Sequence, residues 1–99
     1  MPSVIIIHGT GGGPESHWFP WLKVELEKFG CKVFVPTFPT PEGQSLSAWL
    51  GVFKEYEQHL NENAILVGHS VGSAFLLSVI EATRQPIKHA FNDPYVPLE

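Results

Sequence analysis

Gly68-His69-Ser70-Val71-Gly72 sets one hydroxyl between two glycines, each two positions away. The apolar residues 64–67 precede it and a helix-forming run, 73–80, follows, so the segment reads as strand, sharp turn, helix. In that setting a serine can become a nucleophile. The turn holds the serine backbone in a strained conformation, and the flanking glycines let strand and helix approach closely. Ser70 then stands at the amino end of a helix, where unpaired N–H groups favour developing negative charge. The plainer alternative for the same residues is a Gly/Ser-rich turn without chemistry.

A second glycine-rich segment, His8-Gly9-Thr10-Gly11-Gly12-Gly13, closes the first apolar run. Gly9-Thr10-Gly11 resembles the start of a G-x-G-x-x-G dinucleotide loop, but Pro14 stands where the third glycine belongs. No Lys-Ser/Thr follows Gly13, as a phosphate-cradling P-loop requires. No cofactor is therefore expected. The five histidines are scattered without the i, i+4 spacing of a metal-binding helix, and no metal is expected either. Glu25, Glu27, Glu55 and Glu57 read as solvated helix faces, with no motif for paired-carboxylate glycoside chemistry.

The elements that must position these loops follow from apolar spacing. Residues 3–8 form a β-branched run suited to a strand buried on both faces. Phe19, Leu22, Leu26 and Phe29 fall on one face of a helix over 19–29, with Pro20 in its first turn and Gly30 as its stop. A short strand covers 31–35, and the Pro-rich stretch 36–43 interrupts regular structure. Leu46, Trp49, Leu50, Phe53 and Leu60 predict a second helix over 46–60, capped by Ser45. Residues 61–63 make a turn, 64–67 a third strand, and 71–82 an apolar helix closed before Pro86. Residues 87–91 read as a fourth strand and Asn92-Asp93-Pro94 as a turn. Strands alternating with helices imply a mainly parallel sheet with ligand chemistry at its carboxyl edge.

The 99 residues make one domain, 1–99, without repeats or linkers. With 43% hydrophobic and 16% charged residues the chain is too apolar for disorder. Its formal net charge of -4 argues against nucleic acid as a partner. A single cysteine, Cys31, excludes an internal disulfide and fits a reducing compartment. The apolar run 4–7 is too short for a signal-peptide core, and no stretch approaches the ~20 residues of a membrane span. A cytoplasmic protein without membrane contact is expected.

His8-Gly9, the segment Ser16-His17-Trp18-Phe19-Pro20-Trp21-Leu22, and Leu66-Val67 leading into the Ser70 pentapeptide together resemble the small intracellular serine hydrolases of the retinoblastoma-binding and YdeN type. His-Trp-x-x-Trp-Leu is more specific than the pentapeptide, and the resemblance extends over nearly the whole chain. It implies a three-layer α/β-hydrolase fold, a mainly parallel sheet flanked by helices, with carboxylesterase-like activity on small acyl substrates. By this resemblance Ser70 is the nucleophile, and the Thr10 and Val71 amides form the oxyanion hole. Asp93, in Asn92-Asp93-Pro94-Tyr95-Val96-Pro97, matches the family's acid loop. Ser70 and Asp93 lie closer in sequence than the family places nucleophile and acid, and the family's histidine loop falls after Glu99. The resemblance is thus to an internally shortened, C-terminally truncated member. Phe29-Gly30-Cys31-Lys32-Val33 lacks the Leu-x-Cys-x-Glu pattern of retinoblastoma binding.

The base that would activate Ser70 is left open among the histidines. His69 diverges from its neighbour at the elbow, and the resemblance implies a mostly architectural role for His8, which ends the first strand. His17 packs or starts a helix, and His59 sits at a helix carboxyl terminus. His89, close before Asp93, approaches the acid if strand and turn are local. Trp21 and Trp49 are expected in the core. Two function classes follow. One is a serine carboxylesterase; the other is a catalytically impaired remnant that self-associates through uncovered sheet edges or helix faces.

Overall fold

The computed structural model describes residues 2–60, 63–82 and 89–93. Four parallel strands lie in the order β2-β1-β3-β4, with β1 at Ser3–Ile7, β2 at Lys32–Phe34, β3 at Ile65–His69 and β4 at His89–Asp93. Helices α1 (Phe19–Lys28), α2 (Leu46–Lys54) and α3 (Val71–Ala82) make the crossovers between them.

Alternation along β1 divides the core. Val4 and Ile6 pack with Phe19 and Val33, while Ile5 and Ile7 pack with Trp49, Phe53, Phe75, Leu76 and Val79. One face of the sheet therefore carries α1 and the other carries α2 and α3, which explains why every strand residue after Ser3 is apolar. Phe38 stacks on Trp49 at 4.7 Å, and Phe75 meets both rings edge-on at 5.4 and 5.3 Å. Aromatic pairs of this kind add about 0.5–1.5 kcal/mol each beyond area burial. The Trp49 indole also donates to the Pro39 carbonyl at 2.8 Å, so the Pro-rich segment is anchored to the top of the core.

Local sequence accounts for the helix ends. Ser45 Oγ accepts the Ala48 amide at 3.0 Å as an N-cap. Pro20 lies in the first turn of α1, and Gly30, at φ 87°, ends it in the left-handed conformation. The expected helix over 46–60 is shorter. After Lys54 the amides of Glu55 and Tyr56 bond back three residues rather than four, and a 3₁₀ turn at Glu57–His59 carries the chain to buried Leu60. Leu46 is exposed rather than on the apolar face.

Trp21 is 64% exposed, against the expectation of a core residue. Helical rotation places it off the Phe19, Leu22, Leu26 stripe. Phe29 is 80% exposed because it caps α1 outside the regular turns. The fourth strand reaches Asp93, so Asn92 and Asp93 pair with β3 instead of turning. The helix stop at Pro86, the residues Ile87 and Lys88, and the turn residue Pro94 lie outside the described residues, as do 61–62 of the expected turn. No described helix is long and apolar enough to cross a membrane.

Candidate functional site

The order of strands fixes what stands where along the carboxyl edge. β1 leads outward to β2, the chain then returns to β3 on the other side of β1, and this reversal opens a crevice between the ends of β1 and β3. The Gly9 loop follows β1 and Ser70 follows β3, so both glycine-rich segments meet there.

Ser70 has φ +56°, in the left-handed region; among the described residues only His17, at φ +51°, shares this among non-glycines. For an L-residue this conformation costs about 1–2 kcal/mol. Backbone crowding explains the neighbours. A Cβ at Gly68 would lie 2.7 Å from the Gly72 carbonyl oxygen, and one at Gly72 would collide with the Ile7 carbonyl oxygen. A Cβ at Gly9 would lie 3.1 Å from that of Ser70 and 3.6 Å from its Oγ, so the β1 loop passes directly beneath the serine side chain. Ser73, buried on α3, donates from its hydroxyl to the Gly68 carbonyl at 3.0 Å, while its amide donates to the Ser70 carbonyl at 2.9 Å. These two bonds lock the elbow, a contribution of Ser73 that the pentapeptide alone does not reveal.

Val71 is the first residue of α3, where an amide has no acceptor within its own helix. Thr10 is exposed on the β1 loop next to Gly9. Its hydroxyl accepts from Gln44 Nε2 at 3.0 Å; Gln44 Oε1 accepts from the Thr40 hydroxyl at 2.6 Å; and Thr40 Oγ1 accepts the Gly11 amide at 2.8 Å. Thr40 and Gln44 thus clasp the β1 loop from the β2 side. Sequence reading missed both because they sit in a stretch that reads as a connector. Their signal is position: polar side chains just beyond a strand's carboxyl end.

The histidines separate by place. His8 is fully buried. Its Nδ1 donates to the Gly9 carbonyl at 2.8 Å and its Nε2 accepts the Phe38 amide at 2.9 Å. Both nitrogens are engaged as in a neutral ring, and desolvation lowers its pKa from the ordinary 6.5. His59 stacks on Phe34 at 4.2 Å, at the entry to β3. His89 pairs with Ile65 at the start of β4. It is four residues of extended strand from Asp93, about 13 Å, so the expected approach of His89 to the acid does not occur. His69 is buried against Trp18 and Phe19, and the exposed His17 ring lies 4.7 Å from it, on the α1 side of Ser70.

Asp93 takes the register position opposite His69, one residue before Ser70. Neighbouring strands lie about 4.8 Å apart, so the backbone of Asp93 reaches the elbow despite the short connecting segment. The rest of the expected acid loop, 94–99, lies outside the described residues. Among the described residues no cluster of His, Cys, Asp or Glu could hold a metal ion.

The serine hydrolase family model matches residues 4–95. The chain belongs to the serine hydrolase family. Among curated members it is 38% identical over 78 residues to the putative hydrolase YdeN of Bacillus subtilis, covering 79% of this chain and 41% of that protein. It is 36% identical over 72 residues to the serine hydrolase RBBP9 of Rattus norvegicus, covering 70% and 38%. The chain spans about two fifths of the length of these relatives. The crystal structure of the B. subtilis ydeN gene product superposes with a TM-score of 0.79 at 35% identity, covering 86% of this serine hydrolase chain and 46% of that one. An extracellular alpha/beta-hydrolase from a Paenibacillus species gives a TM-score of 0.76 at 22% identity over 97% and 42% of the two chains, a likeness of fold. The expected α/β-hydrolase architecture, a parallel sheet flanked by helices, is therefore the one observed.

Proposed function

We propose that the chain is a serine hydrolase of the carboxylesterase type acting on small acyl esters. The observation that carries this reading is the strained Ser70 at the crevice between β1 and β3, seated on Gly9. In the proposed reaction Ser70 Oγ bonds to the ester carbonyl carbon while the hydroxyl proton passes to a base. The carbonyl electron pair moves onto oxygen, where the Thr10 and Val71 amides hold it; one such donor is worth about 2.7–4 kcal/mol. Collapse breaks the bond to the alcohol, which leaves with the proton, and water then cleaves the acyl-enzyme by the same route. Asp93 orients the base, a histidine on the α1 side of Ser70, where His17 and His69 stand among the described residues.

Labelling by a fluorophosphonate tests the reading. Native protein should gain one adduct at Ser70 and Ser70→Ala none; a folded native chain that stays unlabelled would sink the enzyme class.

A self-associating module is the second reading. It is favoured by an apolar cleft of about 370 Å³ on the α1 face, lined by Trp18, Leu22, Val67 and the 61% exposed Phe91 of β4. A second copy covering this cleft would bury surface that the described residues leave open.

A further inference from the structure

We propose that the groove between the amino-terminal turns of α2 and α3 receives the acyl chain of the substrate, and that its size restricts the enzyme to short acyl groups. This rests on the hydrolase reading above. The groove holds about 270 Å³, with Trp49 and Phe75 as an aromatic floor and Leu46, Val71 and Ala74 at its walls. Leu46 and Val71 are 54% and 41% exposed, apolar side chains on an otherwise polar rim. Gln44 also lines it, and the same side chain holds the Thr10 hydroxyl. The groove therefore touches the residue after the nucleophile on one side and the support of the β1 loop on the other. Those are the two segments proposed to hold the carbonyl oxygen.

Direction along the edge decides which half of an ester enters. Asp93 ends β4, beyond Ser70, and His17 and His69 lie on the α1 face. The leaving alcohol must face the base that gives it a proton, so it departs on that side. The groove lies on the opposite face, among residues of α2 and α3. What remains attached to the carbonyl carbon, the acyl chain, points into it. The volume is below the roughly 300–1,000 Å³ of pockets that hold drug-sized ligands, and the floor offers aromatic carbon. A short unbranched acyl group fits both facts; a long lipid chain would extend into water.

The test is a series of methyl, butyl, hexyl and dodecyl fluorophosphonates, with the second-order rate of Ser70 modification read by intact mass. In each reaction an Oγ–P bond forms, the P–F bond breaks, fluoride leaves and the serine proton passes to the base. The expected result is modification by the butyl and hexyl probes about tenfold faster than by methyl, with no further gain for dodecyl. Ala74→Trp and Leu46→Trp fill the groove from opposite walls at exposed positions, and each should bring the hexyl-to-methyl ratio near one while circular dichroism stays native. Equal rates at all chain lengths, or a ratio indifferent to both substitutions, would overturn the groove while Ser70 labelling left the hydrolase reading standing. Absence of modification by every probe would overturn both.

Discussion

The Phe38 amide donates to Nε2 of His8 across 2.9 Å, joining the Pro-rich segment after β2 to the end of β1. The His8 ring is neutral in the fold, with a pKa lowered by desolvation. Protons therefore bind the unfolded chain more readily than the folded one below pH 6.5. Stability from this residue should be complete above pH 6.5 and decline as pH falls toward the lowered folded value. Urea melts at a series of pH values should show that slope in the native chain and lose it in His8→Leu. The substitution should also cost about 1–3 kcal/mol at neutral pH, because the buried Phe38 amide loses its acceptor.

Ser70→Gly separates stability from reactivity. Glycine adopts a φ of +56° without the side-chain penalty, so the variant should gain up to about 1 kcal/mol. For a chain of this size that is a rise in Tm of about 4–8 °C, measured by calorimetry, with fluorophosphonate labelling abolished. A lower Tm would show that the serine side chain stabilises the elbow.

Two glycines should respond oppositely to alanine. Gly72→Ala drives a methyl group into the Ile7 and His8 carbonyls, which are backbone and cannot step aside, and should leave little folded protein. Gly51 lies inside α2 with open space around its Cβ direction. Gly51→Ala should stabilise by about 0.5–1 kcal/mol, seen as a shifted urea midpoint.

His17 and His69 are neighbours with different surroundings. His69 is packed among rings, so His69→Ala should mainly lower Tm. His17 is exposed, so His17→Gln should leave Tm near native and slow Ser70 labelling by about tenfold or more if its ring is the base. An unchanged labelling rate would remove His17 from that role.

Phe91→Lys puts a charge on the apolar cleft beside β4. If two copies meet there, light scattering at micromolar concentration should show a larger native species that Phe91→Lys converts to monomer. A monomeric native chain would sink the second reading.

The site was legible in the sequence where chemistry and backbone constraint coincide. Gly68 and Gly72 make backbone contacts that only glycine permits, with Ser70 held between them at φ +56°, and the unbroken apolar run of β1 reports burial on both faces. The Thr40 and Gln44 clasp was not legible, because it joins loops distant in sequence through three hydrogen bonds that leave no periodic trace. Trp21 misleads for a related reason: its type suggests burial, while its helical angle decides otherwise. Asp93 stood out by its motif, but its distance from Ser70 along the chain said little about their separation in space.

That separation is set by strand pairing. Because β4 joins β3 in parallel, the sheet acts as a ruler on which a carboxyl-edge residue moves in steps of one strand spacing, about 4.8 Å. Adding or removing a whole crossover between α3 and β4 would shift the Asp93 backbone sideways by such a step and leave its height along the strand unchanged. Chain length in this part of the fold is therefore quantised, and a shortened connection can remain in register with the elbow where a partial deletion could not.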